Sequence, residues 1–141
     1  MHALKEKTSF LMAMIVSTIL FIFPHWSSLF ADEMIYGVIG AINLIPISVI
    51  FLFLTIYFKS IWAACGLHSF WNAILYSVLG LNLSGNEETV AAVFNMKSVG
   101  DNIWNGSIYG IEASAATTVV LDFATALVFV VGRKRVKRNQ F

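Results

Sequence analysis

SIWAACGLHSFWN, residues 60–72, decides the fold, because it lies in a stretch without Asp, Glu, Lys or Arg that runs from Ser60 to Asn86. A membrane-spanning helix needs roughly 20 mostly apolar residues, so this stretch is long enough to cross a bilayer. It nevertheless carries His68 and Asn72, whose i, i+4 spacing puts them on one face of a helix. Polar side chains at membrane depth are costly, and they usually face a bundle interior, a cavity or a reaction centre.

The composition of the 141-residue chain is that of an integral membrane protein. Hydrophobic residues make up 58% and charged residues 12%, whereas a soluble domain carries about 25% charged residues. The net charge of +1 provides no broad basic surface for nucleic acid. The single cysteine, Cys65, excludes an internal disulfide and a Cys-rich zinc site. We therefore expect one all-α transmembrane domain over residues 1–141, with the lipid bilayer as its partner.

Four apolar runs predict a polytopic membrane helix bundle with four transmembrane helices. The predicted helices lie at about residues 9–26, 37–57, 60–81 and 113–132, and a basic tail follows at 133–141. The connection at 82–112 has no clear period, and connections of that length are often functional or folded over the surface. Asn43 in the second helix is expected to hydrogen-bond between helices.

The charges predict that both termini face the cytoplasm. Lys and Arg precede the first predicted helix, separate the second from the third and follow the fourth, whereas the other two connections carry mostly Asp and Glu. Cytoplasmic segments carry an excess of Lys and Arg, so this distribution fits four helices with both ends inside. The basic tail is then expected to meet anionic lipid headgroups.

The polar residues within the apolar runs are His25, Asn43, His68, Asn72 and Asp122. Two histidines and an amide could hold a divalent metal, stabilise an oxyanion or hydrogen-bond between helices. Hydrogen bonds between membrane helices contribute only about 0.6–2 kcal/mol, so such bonds alone are a weak reason for two histidines to lie in lipid. For Asp122 we favour hydrogen bonds to threonines of its own helix over a proton site.

Two motifs follow one another on the predicted membrane helices. Phe21 and His25 form Phe-x-x-x-His, and His68 and Asn72 form His-x-x-x-Asn. They resemble the second and third motifs of the CPBP family of intramembrane proteases, which includes CAAX proteases and bacteriocin-processing (Abi) proteins. The sequence GIEA at residues 110–113 is similar to a Gly-Pro-Glu-Gly segment of many members.

This resemblance, over roughly residues 3–131, implies a metalloendopeptidase that cuts membrane-embedded or prenylated peptides in a bacterial plasma membrane, or a role in bacteriocin immunity. It implies that His25, His68 and Asn72 are catalytic and that Phe21 shapes the pocket around His25. A divalent metal, with zinc as the candidate, would be held by the two histidines.

The family's first motif, Glu-Glu-x-x-x-Arg, is missing. MHALKEKTSF, residues 1–10, resembles the segment that follows it, so we expect an N-terminally truncated chain, the C-terminal half of a larger bundle. Amide hydrolysis needs a base that activates water, and two histidines leave zinc short of its usual three protein ligands. Because Glu6, Glu33 and Glu112 have no supporting spacing, we expect an incomplete site and an inactive chain.

A site shared by His25 and His68 requires that the two residues lie at a similar depth in the membrane. His25 lies about 16 residues into the first predicted helix and His68 about 8 into the third, so straight helices would hold them about 24 Å and 12 Å from the cytoplasmic face. A kink at Pro24, or a first helix that starts deeper, must close this gap.

Two other functions use the same residues. One is a non-catalytic membrane immunity or scaffolding protein built on the same helices. The other is a small proton-coupled transporter in which Asp122 and the histidines form a proton path. The sequence lacks the inverted-repeat symmetry that is typical of such transporters.

Overall fold

The computed structural model describes residues 10–29, 33–83, 91–97 and 99–138, and it is helical throughout its larger elements. The α-helices are α1 (Phe10–Ile22), α2 (Trp26–Leu29), α3 (Met34–Phe58), α4 (Trp62–Asn72) and α5 (Ala115–Arg138). Shorter elements are a π-helical segment at Ala73–Val78 and 3-10 turns at Phe23–His25, Ser107–Tyr109 and Ile111–Ala113. The predicted all-α membrane helix bundle is confirmed.

Three helical segments of the described chain are long and apolar enough to cross a membrane. They are Leu11–Leu29, Met34–Phe58 and Ala115–Gly132. The segment predicted at 60–81 differs, because its 11 α-helical residues and six π-helical residues end at Val78. That length falls short of the roughly 20 residues that a span needs.

The early end of this segment is fixed by backbone hydrogen bonds. The Leu79 N–H donates to the Ile74 carbonyl at 2.9 Å, which closes the π-helical segment. The connection then returns, and the Phe94 N–H donates to the Val78 carbonyl at 2.8 Å, while the Met96 N–H donates to the Leu79 carbonyl at 3.0 Å. Because the last carbonyls of a helix need partners from elsewhere, the returning connection satisfies them and ends the helix.

α3 lies at the centre of the described structure. It packs against α1, α4 and α5, and 33% of its spanning window is buried, against 6% for each of the other two spans. Pro46 lies inside this helix, and α3 ends at Phe58, followed by the C-cap residue Lys59, whose φ of 52° is left-handed. The chain reverses there, so that α4 runs back along α3.

The end of the long connection belongs to the protein core. Tyr109 is 2% exposed and Ala113 is fully buried, and both pack with Leu29 and Tyr36. Gly40 of α3 allows this approach, because a Cβ there would lie 2.9 Å from Leu29 Cδ2 and 3.5 Å from the Ala113 Cβ. The connection therefore reaches into the bundle instead of only covering its surface.

α5 continues as far as Arg138, beyond the predicted end at residue 132. Lys and Arg are good helix formers, and positive charge is favourable near a helix C-terminus. The predicted basic tail at 133–141 is therefore largely a helical extension, and residues 139–141 lie outside the described residues.

Candidate active site

His25 lies in the 3-10 turn that Pro24 introduces between α1 and α2. Its Nδ1 lies 3.0 Å from the Phe21 carbonyl oxygen, and since a carbonyl only accepts, Nδ1 must carry the hydrogen of this bond. In the neutral imidazole, Nε2 is then left as the acceptor. The local backbone thus orients the ring and determines which nitrogen can exchange a proton.

The ring of Phe21 joins the two predicted motifs. Its centroid lies 5.3 Å from that of His25 and 5.8 Å from that of His68, with the His68 ring edge-on at 78°. Phe51 of α3 completes the cluster, at 5.4 Å from Phe21 and 5.5 Å from His68. Edge-on contacts of this kind are favourable between aromatic rings. Phe51 is therefore part of the site wall.

His68 and Asn72 contact each other, as their i, i+4 spacing predicted. Asn72 Nδ2 lies 3.5 Å from His68 Nε2, at the long limit of a hydrogen bond. The Asn72 Oδ1 atom is buried and has no hydrogen-bond partner among the described residues. A buried amide oxygen without a partner is costly, so this atom is ready to accept a hydrogen bond from a bound molecule.

His25 and His68 line one cavity of about 230 Å³. The predicted depth difference is reduced because His25 turns back by about one helical turn to reach the Phe21 carbonyl, and Phe21 itself contacts His68. Most of the remaining wall is apolar. It includes Gly40, Leu44, Ile47, Ile50, Leu67, Trp71, Tyr109, Leu121 and Ala124.

Glu112 lines the same cavity as the two histidines, although its spacing in the sequence gave no support for a place in the site. Its Oε1 accepts a hydrogen bond of 3.1 Å from Trp71 Nε1, on the helix that carries His68. In the sequence, only the likeness of residues 110–113 to a family segment indicated Glu112. Its approach to the histidines depends on the path of a long connection, which no local pattern predicts.

Asn43 and Asp122 are the other polar residues of the predicted set, and their environments differ. Asn43 is 3% exposed and bonds to the long connection and to Thr118 of α5, as expected for a residue that joins helices. Asp122 is exposed. Two threonines of its own helix that could have bonded to Asp122 have other partners. Thr117 donates to the Ile111 carbonyl and Thr118 donates to Asn43 Oδ1.

The described residues do not form a ligand set for a metal ion. No three of their His, Cys, Asp and Glu side chains are grouped as such a site requires. His25 and His68 alone fall short of the three protein ligands that catalytic zinc usually has. Zinc at these histidines stays a prediction, and no step below is routed through it.

A second cavity of about 290 Å³ lies against the same aromatic cluster. Phe21, Phe51 and His68 line both cavities. The polar groups particular to the second cavity are Ser17, Ser48, Thr55 and Cys65.

A family model described as "Type II CAAX prenyl endopeptidase Rce1-like" matches residues 1–74, which include Phe21, His25, His68 and Asn72. The match confirms the resemblance to the CPBP family. No curated protein and no solved structure was found to match the chain.

Proposed function

The chain belongs to the Rce1-like family of type II CAAX prenyl endopeptidases, and we propose on that premise that it hydrolyses a peptide bond at the membrane. The observation that carries this proposal is the cavity in which His25 and His68 meet around the Phe21 ring. The family name suggests a substrate with a prenylated C-terminus. An apolar wall between membrane helices suits such a substrate.

The two histidines are suited to different steps. The Nδ1 atom of His25 bonds to the Phe21 carbonyl. This leaves Nε2 as the nitrogen that can exchange a proton. His68 and Asn72 lie side by side on α4. Their N–H groups can donate to an oxyanion that forms on the scissile carbonyl, in a cavity with a mostly apolar wall.

The reaction needs one water molecule. Its oxygen attacks the carbonyl carbon while a base takes one proton, and the C–N bond of the tetrahedral intermediate then breaks. The leaving nitrogen takes a proton from an acid, for which protonated His25 is the candidate. The products are a carboxylate and an amine.

The membrane spans limit where this chemistry takes place. Three apolar helices surround or adjoin the site, which supports an integral membrane enzyme. We further propose that both termini face the cytoplasm of a bacterial cell, since Lys and Arg cluster on those segments of the sequence. A cytoplasmic peptide with a lipid-anchored end would then approach from the inner leaflet.

The proposal is tested with the full chain in liposomes. The substrate is a farnesylated C-terminal peptide with a fluorophore and a quencher on the two sides of the scissile bonds. The sequence alone predicted an inactive chain, but because His25 and His68 line one cavity we now expect cleavage by the wild type. We expect kcat/KM to fall about 10²–10⁴-fold in His68→Ala and His25→Ala, the range typical of a lost acid or base. Asp122→Asn, which changes an exposed acid on α5, is the matched control.

The outcomes of the liposome assay decide whether the proposed function holds. Cleavage that survives both histidine substitutions, or a wild type no faster than empty liposomes, overturns the proposal. Circular dichroism of each variant shows whether the helices are retained. A chelator arm examines zinc, and since no three His, Cys, Asp or Glu side chains of the described residues are grouped as a metal site requires, we expect cleavage to persist.

A further inference from the structure

The long connection carries exposed apolar side chains that the histidine site does not use. Val99 is 90% exposed and Val93 is 74% exposed. Single exposed apolar residues are ordinary on a protein surface, whereas several within one short stretch indicate an interaction surface. We call this stretch the connection patch, and its large exposed side chains are Val93, Phe94, Met96, Val99, Ile103 and Trp104.

The connection patch adjoins a helix that is too short to cross the bilayer. The 11 α-helical and six π-helical residues that begin at Trp62 rise about 25 Å, which is about 12 Å less than the 25 residues of α3. Because α4 starts where α3 ends and runs back along it, its far end stops short of the level at which α3 begins. The hydrocarbon core of a bilayer is about 30 Å thick, so Val78 lies inside the bilayer, near the border of the hydrocarbon.

Backbone hydrogen bonds hold the connection patch at the level of the helix ends. The Val93 N–H donates to the Ser77 carbonyl at 3.1 Å, within the π-helical segment that follows α4. At the other end of the patch, the Ile103 carbonyl accepts a bond of 2.7 Å from the N–H of Ala115, the first residue of the last span. Both ends of the patch are therefore joined to residues that lie at membrane depth.

The turn at the end of the connection patch supplies hydrogen-bond partners for its own backbone. Asn102 Oδ1 accepts a bond of 2.9 Å from the Trp104 N–H. Asn105 Oδ1 accepts from the N–H groups of Asn102 and Ser107, at 3.2 Å and 3.0 Å, and Asn105 Nδ2 donates to the Gly100 carbonyl. Backbone groups inside a bilayer need partners from the protein, because water is scarce there. Two asparagine side chains meet that need in this turn.

We propose that the connection patch is inserted into the lipid of the leaflet opposite Lys59, where it occupies the space that the short α4 leaves. This role goes beyond the peptide hydrolysis proposed above and does not depend on it. Lipid is the partner that the surroundings favour, because the patch is joined to helices whose exposed faces are themselves apolar, as at Phe70 of α4 and Phe123 of α5. Trp104 suits the membrane interface, and the exposed Lys97 can lay its stem along the patch with its ammonium group among the headgroups.

The test places a nitroxide spin label on a single cysteine of the full chain, in liposomes of phosphatidylcholine and phosphatidylglycerol. The background is Cys65→Ala, because Cys65 is the single native cysteine and is exposed. Val99→Cys carries the label on the connection patch. Glu33→Cys, at the start of α3 on the same side of the membrane, is the water reference, and Ile19→Cys on α1 is the lipid reference. We expect the Val99 label to collide often with oxygen, which concentrates in lipid, and rarely with a nickel chelate, which stays in water.

The nickel collision rate at Val99 should fall from the value at Glu33 nearly to the value at Ile19. A rate as high as that at Glu33 shows that the connection lies in water and overturns the proposal. A label that neither oxygen nor nickel reaches shows that protein, such as a second copy of the chain, covers the patch, and this also overturns it. Val93→Cys repeats the measurement at the start of the patch, and circular dichroism shows that each variant keeps its helices.

Discussion

The two cavities on either side of the aromatic cluster have similar size but different chemistry. Both are lined by Phe21, Phe51 and His68, with volumes of about 230 Å³ and 290 Å³. The first adds His25 and Glu112, whereas the second adds mainly hydroxyl groups and a thiol. Side chains that can serve as acid or base mark a reaction site more reliably than volume does. The comparison therefore assigns the chemistry to the smaller cavity.

Two of the three hydroxyl side chains that line the second cavity form hydrogen bonds within the fold. Ser48 donates to the Ile45 carbonyl at 2.7 Å, and its oxygen lies 2.9 Å from the Thr18 hydroxyl. Thr55 donates to the Phe51 carbonyl at 2.8 Å. These bonds connect the helices or stay within one helix, so the second cavity is a packing defect between α1, α3 and α4 more than a site.

Removal of Asn43 should have the largest effect on this comparison. Asn43→Ala removes the amide that donates to the Glu112 and Ser114 carbonyls and accepts from the Thr118 hydroxyl, and the loss of a buried hydrogen-bond partner costs about 1–3 kcal/mol. We expect the free energy of unfolding to fall by about 2–3 kcal/mol and cleavage to fall with it, measured by unfolding in mixed detergent micelles and by the liposome assay.

The matched control for Asn43 is Ser48→Ala, which removes a buried polar group of the same helix from the second cavity. Its loss should be about 1 kcal/mol or less, because the Ile45 carbonyl still lies within a helix. Equal losses of stability and activity in the two variants would contradict the role of Asn43 in holding the turn Ile111–Ala113.

Removal of the shared wall should have an intermediate effect. Phe21→Ala opens a passage between the cavities and removes the ring that contacts both histidines. We expect kcat/KM to fall about tenfold, since small displacements of reacting groups are costly. Phe53→Ala, which removes a ring packed on Tyr57, is the control and should keep most activity. A Phe21 variant as fast as the Phe53 variant would show that the wall does not orient the histidines.

Changes confined to the second cavity should have the smallest effect. Cys65 is exposed and lies three residues before His68, so a thiolate–imidazole pair is an alternative nucleophile. Free cysteines more often behave as small hydrophobic residues. We expect Cys65→Ala to retain cleavage within about twofold, since general acid–base groups remain. A large loss of cleavage in this variant would move the chemistry towards the second cavity.

Local periodicity predicted much of the fold and part of the site. The spans and the pairs Phe21–His25 and His68–Asn72 depend on residues within one or two helical turns of each other, so spacing alone indicates them. The role of Asn43 between helices followed from the cost of an amide in an apolar run.

The remaining features depend on contacts between distant parts of the chain. The end of the helix at Val78 is set by hydrogen bonds from the connection that returns past residue 93, which no local pattern records. The position of Glu112 depends on Asn43, 69 residues earlier, and on the path of the connection through Gly110. Gly110 has φ of 100° and lies against the Asn82 carbonyl, so a side chain would be strained there.

The hydrogen bond from Trp71 to Glu112 gives the molecule its own optical reporter. An indole whose N–H donates to a carboxylate experiences a different electric field once that carboxylate is neutralised, and its emission shifts accordingly. The chain has four tryptophans, and replacement of the other three by phenylalanine would leave Trp71 as the single emitter. A fluorescence titration of that variant would follow the charge of one side chain inside a membrane protein without any added label.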